Sequence, residues 1–136
     1  MSRAFFVSAI LAILAGCHLP DEQTALKPLP QDVTPQPYAE LVARARVLVE
    51  SANKAFYDNK WLDLEDAAKG METTAKFLVK ASDVPARHQV KLAVEAGDLG
   101  REAGKLASAA KAHEVQPIID SLQKINLKVR ELRPED

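Results

Sequence analysis

From Tyr38 onward, apolar residues recur at steps of three and four. Leu41, Ala45, Leu48, Ala52 and Phe56 form one stripe, and Leu64, Ala68, Met71, Ala75 and Leu78 a second. Leu92, Ala96, Leu99, Ala103, Leu106 and Ala110 form a third. Val115, Ile118, Leu122, Ile125, Val129 and Leu132 form a fourth. Stripes of this period lie on one face of a helix and are buried against other helices. The spacing predicts helices over about 38–57, 61–80, 84–111 and 115–133. No segment alternates with the period of two that a half-buried strand requires.

The breaks between stripes are short. Asp58-Asn59-Lys60 separates the first two, and Ala112-His113-Glu114 leads into the fourth, with Pro117 in its first turn. Ser82-Asp83-Val84-Pro85 offers a cap residue followed by a proline, and Pro134 stops the last helix. Short connections force neighbouring helices to run antiparallel. The fold expected for residues 38–136 is therefore all-α, an antiparallel up-down-up-down four-helix bundle.

The residues before Tyr38 read as an address and a spacer. Met1-Ser2-Arg3 is a short positive region, and Ala4 to Leu14 is an apolar run interrupted only by Ser8. That run is shorter than the ~17–25 residues a membrane span needs, so residues 1–16 are expected to be a signal peptide. They end in Leu14-Ala15-Gly16-Cys17. This tetrapeptide resembles the bacterial lipobox. The resemblance implies diacylglycerol on Cys17, cleavage after Gly16 and a membrane-anchored product facing the periplasm. By the same resemblance, His18 rather than Asp after the cysteine favours the outer membrane over the inner one. The alternative is an ordinary signal peptide cut near Ala15-Gly16, which leaves Cys17 as a free thiol.

Residues 17–37 then form the lipidated cysteine and a linker. Pro20, Pro28, Pro30, Pro35 and Pro37 fall here, and no helix or ladder propagates through such a stretch. As an extended tether, residues 18–37 reach at most about 60 Å. A proline-rich ligand for a partner domain is the competing reading.

Composition removes several function classes. Eighteen basic against nineteen acidic residues is not the balance of a nucleic-acid binder. A single cysteine allows neither a disulfide framework nor a cysteine-rich metal site. Aromatics are only 5% of the chain, so the core must be built from Ala, Leu, Val and Ile.

Motifs for chemistry are equally sparse. There is no hydrolase elbow, phosphate loop, HExxH or CxxC, so no enzyme activity is expected. His18 belongs to the linker. His88 and His113 fall near opposite ends of the predicted third helix, too far apart to share a metal, and are expected to be solvated. Asp63, Glu65 and Asp66 crowd the first turns of the second helix, where carboxylates favour the helix dipole. Arg44, Arg46, Lys124, Lys128, Arg130 and Arg133 alternate with acids and are read as solvated faces. Gly97, Gly100 and Gly104, with Ala93, make a strip nearly free of side chains on the third helix. Close approach of a neighbouring helix explains such a strip, and a groove for a flat ligand or partner helix is the alternative.

An exported four-helix bundle of this size resembles the cytochrome c-prime group over roughly residues 38–133. Members of that group carry Cys-x-x-Cys-His-x-x-Tyr-Arg near the C-terminus. The corresponding stretch here is Ile125-Asn126-Leu127-Lys128-Val129-Arg130-Glu131-Leu132-Arg133. Ile125 and Lys128 stand at the cysteine positions and Val129 at the iron-ligand position. The resemblance thus implies the bundle without the covalent haem, because two thiols and an imidazole are required. Met71 offers no haem ligand, since it lies on the second helix as core filler. The expectation is a cofactor-free, membrane-tethered module that binds a partner or serves a structural role. Its partner would be the membrane and an unidentified protein or ligand, with pairing into a homodimer also open. Haem-based electron transfer or gas binding, and a periplasmic chaperone or stress sensor, are the rival readings.

Overall fold

A computed structural model describes residues 26–30, 32 and 34–134. The expected signal peptide, Cys17 and His18 lie outside the described residues. Those residues hold five α-helices and no strand: α1 Tyr38–Tyr57, α2 Trp61–Leu78, α3 Ala86–Gln89, α4 Leu92–Ala112 and α5 Val115–Glu131. The chain is all-α. No helix among the described residues is long and apolar enough to cross a membrane.

The four stripes become the core. Leu64, Met71, Leu99, Leu106, Ile118 and Ile125 are completely buried, and Ala45, Ala68, Ala103 and Ala110 fill the spaces between them. Two stripe residues behave differently because they sit at helix ends. Phe56 is half-buried and Val115 is exposed. α2 packs against α1 and α4, α5 packs against α4, and α5 meets α1 more lightly. Leu48 of α1 lies so close to Gly70 of α2 that a Cβ there would stand 2.9 Å from Leu48 Cδ2. Glycine at position 70 is what allows that approach.

Two of the four helix-to-helix connections stop their helix by the same backbone device. After α1, Lys60 N–H bonds to Ala55 O (2.8 Å) and Asn59 N–H to Phe56 O (3.1 Å), with Asn59 at φ 55°. After α4, Glu114 N–H bonds to Ala109 O (3.0 Å) and His113 N–H to Ala110 O (3.1 Å), with His113 at φ 57°. Both are Schellman closures, in which one left-handed residue reverses the chain and satisfies the last carbonyls.

The third helix departs from expectation. The predicted 84–111 segment divides into α3 and α4, with Val90 and Lys91 between them. Lys91 N–H reaches back three residues to His88 O rather than four. Val90 is 92% exposed, so no packing holds this turn in register, and helices draw most of their stability from packing. Ser82 and Asp83 do not cap the helix. Pro85 occupies the cap position of α3, and the backbone of Ser82 is used elsewhere. Ser82 N–H bonds to Gln36 O and Tyr38 N–H bonds to Ser82 O, both at 2.9 Å.

Candidate functional site

Polar side chains gather at the end of the core where α1 begins and α5 ends. Tyr38 is 1% exposed, and its hydroxyl donates to Leu132 O at 2.6 Å. Burial, reinforced by the Glu95 carboxylate and opposed by the Arg87 guanidinium, pushes the phenol up to about 12. His88 packs its ring against Tyr38, with centroids 5.4 Å apart.

His88 was expected to be solvated, and the structure corrects this: it is 5% exposed. Its Nε2 stands 3.0 Å from Arg133 O and 3.1 Å from Arg87 Nε, and its Nδ1 stands 3.5 Å from Glu95 Oε2. Accepting from Arg87 leaves Nδ1–H to face Glu95. The other tautomer donates Nε2–H to the Arg133 carbonyl and turns a lone pair toward Glu95. Arg87 also donates to Arg133 O. The cluster therefore ties together the start of α1, the short α3, the first turn of α4 and the residues just beyond α5. None of the side chains in these contacts is a serine, threonine or cysteine nucleophile, and a phenol at about 12 is a poor base near neutrality. This arrangement joins segments that are far apart in the sequence.

Beside it opens a cavity of about 680 Å³ lined by Arg87, Lys91, Glu95, Arg130, Glu131 and Arg133. Cations and carboxylates share that lining, so it is not a one-sign trap for an anion. His113 lies at the other end of the molecule, exposed, with its ring stacked 4.8 Å from Trp61. Phe56 and Tyr57 continue the row from Trp61. Tyr57 (80% exposed), Leu62 (77%) and Val115 (52%) expose large side chains at this tip. Among the described residues no group of three His, Cys, Asp or Glu side chains gathers for a metal.

The glycine strip is only partly a close approach. A Cβ on Gly100 would touch Ala75 Cβ of α2 at 3.4 Å, while Gly97 and Gly104 have space. Over them lies a groove of about 400 Å³, edged by Glu72, Lys76 and Arg101. Ala93 is exposed beyond it.

The charged residues sort by partner. Glu65 pairs with Lys69 at 2.6 Å, and that hydrogen bond holds its carboxyl below the usual range. Asp63 and Asp66 are exposed in the early turns of α2. Arg46, Lys124, Arg130 and Arg133 are exposed as expected. Lys128 and Arg44 are not simply solvated. Lys128 reaches across to Asp98 at 3.0 Å and pulls that carboxyl down. Arg44 is half-buried beneath residues 26–30, where burial lowers its basicity. Its guanidinium donates to Lys27 O, and Leu26 and Leu29 pack on the core beside it. This strap was not foreseen, because its leucines stand among prolines and carry no helical period.

The positions aligned with the haem motif are core and surface. Ile125 is 0% and Val129 4% exposed. Met71 is fully buried among the same helices. The chain matches no protein family, no curated protein and no solved structure with which it was compared.

Proposed function

We propose that this chain is a periplasmic lipoprotein, anchored through Cys17 to the outer membrane, whose domain is an antiparallel up-down-up-down four-helix bundle. The bundle is cofactor-free and acts as a binding module. Tyr38 at the start of α1 bonding to Leu132 beyond α5, and Trp61 at the start of α2 stacking on His113 beyond α4, support the alternating directions. The filled stripe around Ile125 and Val129 supports closure without a prosthetic group.

The observation that carries the binding role is the tip. Tyr57, Leu62 and Val115 are exposed at the end away from Pro37, where the linker joins. An apolar patch displayed there faces away from an anchor at Cys17 and suits contact with another protein. A photoreactive residue placed at Leu62 or, as a control, at Val90 tests this in cells. Val90 is exposed at the other end. Cross-links confined to the Leu62 position support the reading, and equal or absent cross-linking at both positions refutes it. Mass spectrometry of the N-terminal peptide tests the anchor: Cys17 should begin the mature chain and carry acyl groups.

A further inference from the structure

We infer that the face of α1 around Arg44 is a docking surface for the chain's own proline-rich linker, and that docking sets how far the domain stands from its membrane. Three observations place the linker there. Leu26 and Leu29 are half-buried and pack against the core. Arg44 donates to the carbonyl of Lys27, seventeen residues earlier in the chain. The far end of the linker is pinned as well, because Gln36 and Pro37 run beside Ser82 in a short parallel bridge.

The consequence follows from contour length. Were the whole linker free, residues 18–37 would allow a reach of about 60 Å from an anchor at Cys17. With Leu26 and Leu29 held on the domain, residues 18–25 separate Cys17 from the docked segment, and eight residues reach about 25 Å. The docked chain thus holds the tip less far from the bilayer, and release of Leu26 and Leu29 extends it. This consequence rests on the anchor reading above, whereas the docking itself does not.

The test uses residues 18–136, which contain every buried residue described and no cysteine. Spin labels on K27C and S51C report the distance between linker and α1. A narrow distribution is expected for the otherwise unchanged chain. In L26D/L29D it should broaden to a spread on the order of 20 Å, that of a free eleven-residue segment. Unchanged helicity in the variant would show that the domain is intact. A broad distribution before substitution, or a narrow one after it, overturns the docking. A second arm places the acylated chain in a supported bilayer and reads domain height by neutron reflectometry. Greater height in L26D/L29D supports the inference, and equal height overturns the reach claim. An unacylated Cys17 from native membranes would overturn the anchor reading and leave the spin-label result to judge the docking alone.

Discussion

Replacing Tyr38 by Phe removes one oxygen from a site that is otherwise unchanged in shape. The lost contact is the 2.6 Å hydrogen bond to Leu132 O, at the junction of the first and last long helices. Leaving that buried carbonyl without its donor costs about 1–3 kcal/mol. For a domain near one hundred residues, each kcal/mol lowers the melting temperature by about 4–8 °C. The pH dependence is more specific. Burial stabilises the neutral phenol, so the folded value of about 12 exceeds the ordinary value of 10. The stabilisation is complete below about pH 10 and is lost as pH rises through about 12. Two units of difference correspond to roughly 2–3 kcal/mol. Urea unfolding of the native chain and of Tyr38→Phe should therefore differ most near neutral pH and converge between about pH 10 and 12. Tyr57→Phe, at an 80% exposed site, should follow the native curve throughout. A Tyr38→Phe variant as stable as the native chain at neutral pH, or a gap that stays constant to pH 12, would refute the reasoning.

Ile125→Ala should lower stability by about 2–5 kcal/mol in denaturant unfolding, because a fully buried side chain is removed from the core. Gly97→Ala and Gly104→Ala should each raise stability by up to about 1 kcal/mol, since each Cβ would meet only the end of a long side chain, Arg101 at 3.9 Å and Glu72 at 4.0 Å. Gly70→Ala should gain nothing or lose, because its Cβ meets Leu48 at 2.9 Å. In Lys128→Met, the Asp98 carboxyl should titrate at higher pH than in the native chain when followed by carboxyl NMR. In the native chain that pair contributes stability above the ordinary aspartate range and loses it as the carboxyl protonates in acid.

The core was legible in the sequence because helical period and burial are the same fact seen twice. Residues such as Leu64, Leu99 and Ile125 are buried where their spacing put them. Burial of His88 was not legible. Its surroundings come from Tyr38, Glu95 and the end of the chain near Arg133, and no local pattern records that meeting. Leu26 and Leu29 were hidden for a different reason. Proline rules out a helix or ladder but not docking of an extended strand of chain on a neighbour. The glycine strip carried two meanings at once: Gly100 serves contact with Ala75, while Gly97 and Gly104 leave a groove. The break at Val90 and Lys91 lies ahead of Leu92, the first residue of the third stripe, so no apolar period recorded it.

Under the proposed reading, apolar side chains close this core without a prosthetic group. Thermal unfolding of residues 18–136, prepared without haem and then titrated with haemin, tests it most directly. One cooperative helical transition is expected, and its midpoint should not move, since only a ligand that binds the folded state shifts it. A rise in the midpoint accompanied by a Soret band would show instead that the folded core takes up a porphyrin.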